Sequence, residues 1–214
     1  GLNILIVDDL KPYKMRKVGI LNGAHTAMVP VSYLYGIDTV RETMENDELR
    51  EFVEKAIDEE IIPALDMDKN ELVEFKNAVI NRFKNPYVKH MLIDIALNST
   101  KYKTRILPQV LETYKRTGKL PKRLLFSLAC LIRFYKGVRE NGDPINLRDD
   151  QKFLDMYREL WQTSDYRKIV ETVLGMKDHW EIDLNTVEGM TDLVTSYLEK
   201  IDTKGVKEAL KELK

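Results

Sequence analysis

The sequence predicts an all-α domain with one short strand at its N-terminal edge, and three observations predict it. Apolar residues recur at helical spacing almost throughout. Strand character is confined to a single run, Asn3 to Val7. No repeat period, low-complexity tract or strong linker divides the 214 residues, so 1–214 reads as one domain, long enough for a substantial core.

Each element has its own signal. The opening run is short, apolar and abruptly entered, as if the chain were cut from something longer. Asp8 or Asp9 can cap a helix whose first turn holds Pro12, where proline is tolerated. That helix is expected to pass through Lys17 and His25 toward Pro30, with Gly36 ending a short continuation and Asp38 or Asp47 capping the next segments. Between Glu48 and Leu65, the residues Leu49, Phe52, Val53, Ala56, Ile57, Ile61 and Ile62 mark one helical face, bent or ended by Pro63. Asp68 or Asn70 opens a helix carrying Leu72, Phe75, Val79 and Phe83, stopped at Asn85-Pro86. Further helices are expected near 87–97, 103–117, 121–135, 149–162, 165–174, 187–201 and 204–213, with a long loop at Val138–Arg148 built on Glu140-Asn-Gly-Asp-Pro.

Composition excludes several classes. With 34 basic and 35 acidic residues the formal net charge is −1, which is no nucleic-acid footprint. No apolar stretch approaches the roughly 20 residues of a membrane span, and Gly1–Asp9 lacks the basic start of a signal peptide. Cys130 is the single cysteine, sits in an apolar run and reads as a buried thiol, consistent with a cytoplasmic setting. Neither G-x-G-x-x-G nor G-x-x-x-x-G-K-[ST] occurs, so no standard phosphate cradle is encoded. The three histidines, His25, His90 and His179, stand at no metal-ligand spacing, and no metal is expected.

One segment carries chemistry: Lys17-Val-Gly-Ile-Leu-Asn22-Gly-Ala-His25-Thr. At about 100° per residue, Asn22 lies ~140° and His25 ~80° from Lys17, so the three share one broad flank over ~12 Å of helix. An amine, an amide and an imidazole are thereby offered to one small molecule. Gly19, Gly23 and Ala27 fall on the other side, where small residues let a neighbour approach. The same spacing also suits a core Asn and His satisfied by backbone groups.

The run Lys14-Met-Arg-Lys-Val-Gly-Ile-Leu-Asn-Gly-Ala-His-Thr-Ala resembles the signature helix of the mannitol dehydrogenase family of long-chain polyol and sugar-acid dehydrogenases. Its L-N-G-A-H-T form is most similar to the branch that interconverts tagaturonate and altronate. Glu59-Glu-Ile-Ile-Pro63, Arg82-Phe-Lys-Asn-Pro86, Asp94-Ile-Ala-Leu-Asn-Ser-Thr-Lys101 and Leu120-Pro-Lys-Arg-Leu-Leu-Phe-Ser127 extend the likeness in order. The resemblance implies a fold like the 6-phosphogluconate dehydrogenase C-terminal domain. It also implies a partner N-terminal Rossmann domain that holds NAD and is absent from this sequence, so the fragment alone is expected to be inactive.

By the same resemblance, Lys17 is the general acid/base, while Asn22 and His25 hydrogen-bond the reacting oxygen. Lys101 corresponds to a substrate-contacting lysine, whereas Ile93 stands where the polyol branch has an arginine. A sugar acid needs a cation for its carboxylate, and Arg105, then Lys103, are the candidates, alongside the alternative of a solvated basic face. His90 is either a substrate contact or a helix cap. Lys122 and Arg123 sit at a helix start, where basic charge opposes the dipole, and face either a partner or solvent. Trp161 and Trp180 read as packing. The functional alternatives are a fructuronate or mannitol-type dehydrogenase, or a helical binding module without catalysis.

Overall fold

The computed structural model describes residues 9–95 and 98–213. The expected strand at 3–7 lies outside them. The described residues form an all-α domain with no extended sheet, only isolated bridges pairing Thr39 with Met91 and Val138 with Pro144.

Helix α8 (Lys122–Phe134) is the axis of the fold. Every residue from Leu124 to Phe134 is buried, so this helix is covered on all sides. It packs against α12 (Met190–Lys204) and α2 (Ala24–Tyr35), and α10 (Tyr166–Leu174) closes over α12. Cys130 lies fully buried in α8, and burial pushes its thiol well above the usual range. Trp180 and Trp161 are packing residues as expected, their indoles donating to the carbonyls of Val173 and Ile132 at 2.7 and 3.2 Å. The start of α8 carries Lys122 and Arg123, but the buried Glu60 carboxylate offsets them by accepting from the Arg123 and Leu124 amides at 2.9 and 2.8 Å. Arg123 itself pairs with Glu59 at 2.6 Å, so it serves the fold rather than a partner.

Several elements differ from expectation for identifiable reasons. The first helix is α1 (Lys11–Arg16); it continues into a π-helical turn, Lys17–Gly23, and then into α2. Pro30 lies inside α2, which runs on to Tyr35 and ends where Gly36 adopts φ 107°. Thr39 and Asn46, not Asp38 and Asp47, cap α3 (Val40–Glu45) and α4 (Asp47–Lys55). Thr39 does so in a capping box with Glu42. Beyond α4 the chain again becomes π-helical at Ala56–Ile61, then tightens into a 3₁₀ turn at Ile62–Ala64 around Pro63. Asp68 caps α5 (Lys69–Phe83) as expected.

No helix occupies 87–95. That segment is held extended by Val40 N–H to His90 O and Leu92 N–H to Asp38 O, with a single short turn at Leu92–Asp94. The helix expected at 103–117 is two: α6 (Ser99–Arg105), capped by Asn98, and α7 (Leu107–Thr117), started by Pro108 in its first turn. The loop at 138–148 is present, followed by α9 (Gln151–Leu160), then α10. A short α11 (Lys177–Trp180) was not expected, and α13 (Val206–Leu210) ends the described helices apart from one 3₁₀ turn.

Candidate active site

The site forms where the π-helical turn meets α5 and α6. A turn with i→i+5 hydrogen bonding stacks residues five apart, so Lys17 and Asn22 come closer to one line than an α-helix would put them. Asn22 and His25 are then neighbours at i, i+3. The triad expected from sequence is therefore brought onto one flank more tightly than α-helical geometry allows. Lys17 is exposed, whereas Asn22 and His25 are half-buried. Neither Lys17 nor Asn22 has a side-chain hydrogen-bond partner among the described residues.

Two glycines permit this turn to pack. A Cβ on Gly19 would stand 3.1 Å from the Gln109 side-chain amide and 3.3 Å from Ile61 Cγ2. One on Gly23 would stand 3.1 Å from the backbone oxygen of Arg105. The expected close approach on the glycine side is thus made by α6, α7 and the second π-helical turn. Upstream, the Arg16 guanidinium lies 4.5 Å from the Phe75 ring centroid and 5.1 Å from that of Tyr13, tying the turn to α5.

His25 is the most perturbed group here. Its ring packs on Phe83 at 4.3 Å between centroids and meets His90 edge-on at 6.3 Å. Burial, then the neighbouring His90 and Arg105, hold its pKa down at about 4. Its Nε2 is buried without a hydrogen-bond partner among the described residues. A buried polar atom left unpartnered costs free energy unless something outside supplies the bond. The alternative of a core histidine satisfied by backbone is not what this nitrogen displays.

Arg105 and Arg16 are the half-buried arginines without an ion pair among the described residues, and Arg16 is spent on the Phe75 ring. One guanidinium nitrogen of Arg105 donates to Thr26 Oγ1 at 3.2 Å. Burial lowers the Arg105 pKa. By contrast Arg50, Arg116, Arg123, Arg133 and Arg139 each have a carboxylate within 2.8 Å. Lys101 shares the Arg105 face of α6 at i, i+4 and is half-buried. Lys103 does not belong to this set. It projects from another side of α6 and pairs with Glu181 at 2.8 Å, so the second-choice cation for a carboxylate is already occupied. His90 caps no helix; it sits exposed on the extended segment beside His25.

Sequence reasoning missed Phe83, Gln109 and Thr26 as parts of this site. Phe83 and Gln109 carry no signal beyond a core pattern. Thr26 was visible within the signature run, as a hydroxyl in an otherwise apolar stretch. Among the described residues no group of three or more His, Cys, Asp or Glu side chains could hold a metal ion. No helix among them is long and apolar enough to cross a membrane.

The described residues thus form an all-α body with Lys17, Lys101 and Arg105 unpaired by any described carboxylate on the side that carries His25. Residues 9–202 match the mannitol dehydrogenase C-terminal domain profile, and the chain belongs to that family. It is 54% identical over 219 residues to the altronate oxidoreductase of Enterobacter sp. (strain 638), covering all of this chain and 45% of that protein. Altronate oxidoreductase of Escherichia coli O1:K1 / APEC is 53% identical over 220 residues, with 99% and 45% covered. The chain therefore spans about half the length of the curated relatives it matches. In fold it is similar to Pseudomonas fluorescens mannitol 2-dehydrogenase, solved as a ternary complex with NAD and D-mannitol, at TM-score 0.87 and 23% identity, covering 97% of this chain and 42% of that one. A D-sorbitol dehydrogenase in substrate-free form superposes at TM-score 0.78, also at 23% identity, with 95% and 41% covered.

Proposed function

We propose that this chain is the substrate-binding and catalytic domain of a cytoplasmic NAD-dependent oxidoreductase that interconverts tagaturonate and altronate, working with a Rossmann domain of the same polypeptide. The observation that carries the sugar-acid reading is Arg105: a half-buried guanidinium with no counter-ion among the described residues, beside a histidine kept neutral. A carboxylate entering this corner would supply the missing anion through paired hydrogen bonds. The altronate oxidoreductase relatives agree with that choice of substrate.

The fit to a nicotinamide cofactor divides. The unpartnered His25 nitrogen and the open flank of Lys17 and Asn22 suit a reacting carbonyl. Nothing among the described residues forms a glycine-rich cradle for the dinucleotide phosphates, so these would be held by the Rossmann domain. A nicotinamide bound against this face would supply or accept the hydride. In the reducing direction, Asn22 and the neutral imidazole of His25 donate hydrogen bonds to the keto oxygen as negative charge grows there. Lys17 delivers a proton to that oxygen and takes it back in the reverse direction. Lys101, half-buried one turn before Arg105, orients the hydroxyls of the sugar chain. His90 lines the open edge.

The test is NADH oxidation by the full-length polypeptide with tagaturonate, fructuronate and fructose. Tagaturonate is expected to be reduced with the highest kcat/KM. Lys17→Ala is expected to lower kcat about 10²–10⁴-fold, the range of general acid/base catalysis. An unchanged kcat in that variant would overturn the role given to Lys17, and turnover of fructose alone would overturn the sugar-acid reading.

A further inference from the structure

We infer that Thr26 is a positioning residue that fixes the Arg105 guanidinium relative to His25, and thereby sets the preference for a carboxylate-bearing substrate over a neutral one. The inference rests on the reading of Arg105 as carboxylate anchor and adds to it how that anchor is aimed.

Arg105 is the last residue of α6, where the chain breaks before Leu107-Pro108, so its own helix does little to orient it. It is held from both ends by other elements. At the backbone, its carbonyl lies against Gly23 and accepts from the Gln109 amide at 2.8 Å once that amide is oriented to satisfy both its atoms. At the tip, one guanidinium nitrogen donates to Thr26 Oγ1 at 3.2 Å.

Thr26 is itself rigid. It is 2% exposed, β-branched, and lies in α2 immediately after His25. Its side chain has no other hydrogen bond among the described residues. The hydroxyl therefore spans the one gap between the helix that carries the triad and the helix that carries the cation. A guanidinium has five N–H donors, and a single bond to Thr26 leaves the rest of the fork for a carboxylate. A long side chain tethered at one nitrogen has lost most of its rotamer freedom before substrate arrives, which lowers the entropic cost of binding. The separation of Arg105 from the reacting carbonyl is fixed by the same bond, because His25 and Thr26 are adjacent in one helix.

The experiment compares Thr26→Val, Thr26→Ser and Arg105→Ala in the full-length polypeptide, with tagaturonate and fructose as substrates. Thr26→Val preserves shape and removes the acceptor; Thr26→Ala replaces it if the valine variant does not fold. The expected result is a rise of about tenfold in KM for tagaturonate, the scale of a hydrogen bond to a charged group, with kcat within about twofold. KM for fructose is expected to stay the same, and Thr26→Ser to restore the wild-type value.

A second measurement needs no turnover. NMR titration of the His25 ring is expected to show its pKa rising in Thr26→Val, because the Arg105 charge that helps depress it moves away. If Arg105→Ala raises KM for tagaturonate while Thr26→Val changes neither KM nor the His25 titration, the role of Thr26 is overturned and the anchor reading stands. If Arg105→Ala leaves KM for tagaturonate unchanged, the anchor reading falls and this inference with it. An equal loss of kcat on both substrates in Thr26→Val assigns it a purely structural part and overturns the inference as well.

Discussion

His25 shows how a single side chain is prepared by its surroundings. An imidazole in water is half-protonated near pH 6.5, but here burial, then the neighbouring His90 and Arg105, lower that to about 4. At working pH it is a neutral ring, able to donate one hydrogen bond without carrying charge. The shift is also a statement about stability. The unfolded chain binds a proton at His25 below about pH 6.5, while the folded chain resists until about 4. Stability from this group is therefore full above pH 6.5 and is lost as pH falls toward 4, by about 3 kcal/mol in all at 1.36 kcal/mol per unit. Denaturant melts between pH 7 and 4 should show this slope, and His25→Gln should flatten it. A His25 ring that titrates near 6.5 by NMR would contradict the account. His25 was visible in the sequence as a polar residue in an otherwise apolar helical run, and its proposed role came from the resemblance of that run to a family signature. Its neutrality was not visible, because Phe83, His90 and Arg105 arrive from three other parts of the chain.

At the scale of elements, the π-helical turn at Lys17–Gly23 is the feature that local pattern did not encode. Its residues are ordinary helix material, and the choice of i→i+5 over i→i+4 bonding accompanies tertiary contacts: Ile61 and Gln109 against Gly19, and Arg105 against Gly23. Gly23→Ala is accordingly expected to destabilise the domain by about 1–3 kcal/mol, the cost of overpacking, because the new Cβ meets backbone that cannot rotate away. The same variant should raise KM for tagaturonate by displacing Arg105. A Tm equal to wild type would show that α6 moves aside freely. The other departures have the same character. At 87–95, Val88, Met91, Leu92 and Ile95 imitate a helical face, but the Leu92 amide donates to the Asp38 carbonyl and the His90 carbonyl accepts from the Val40 amide instead. Thr39 and Asn46 displaced the neighbouring aspartates as caps because each of these residue types can serve there, and only the path of the chain decides.

Across the whole molecule, α8 is the support against which the site-bearing helix is braced. Ser127 donates to the Ala27 carbonyl at 2.8 Å, joining the axis of the fold to α2 one residue after Thr26. At its far end α8 is locked by a buried charge network. Asp202 of α12 lies 2.6 Å from Arg133 and 2.8 Å from Lys136, and accepts from Tyr166 at 3.0 Å. Burial alone would raise the Asp202 pKa, yet Lys136, Arg133 and Tyr166 outweigh it and hold the carboxyl below its usual value. Its contribution is full above the ordinary carboxylate range and is lost as pH falls through the lowered value. Asp202→Ala would leave the buried Arg133 without its partner, and is expected to cost about 3–5 kcal/mol. Thermal unfolding at neutral pH checks this, and a Tm within a degree of wild type would refute it. The helical architecture was readable from periodicity because burial of one face is a local pattern. The Arg133–Asp202 pair was not, since its partners lie far apart in sequence and nothing in either neighbourhood names the other.

The π-helical turn also acts as a counting device. Relative to an α-helix, such a turn takes in extra chain per revolution, and that surplus sets the phase between the helix before it and the helix after it. Removing one residue would let the helix regularise with the flanking helices close to their present phase, whereas regularising at the present length would turn α1 and Lys17 by about 100° about the axis. In that second case the helix would survive while Lys17 faced elsewhere. The phase between Lys17 and His25 therefore depends on keeping the wide turn itself, and a substitution at Gly19 or Gly23 that regularised it would re-aim Lys17 with no change in chain length.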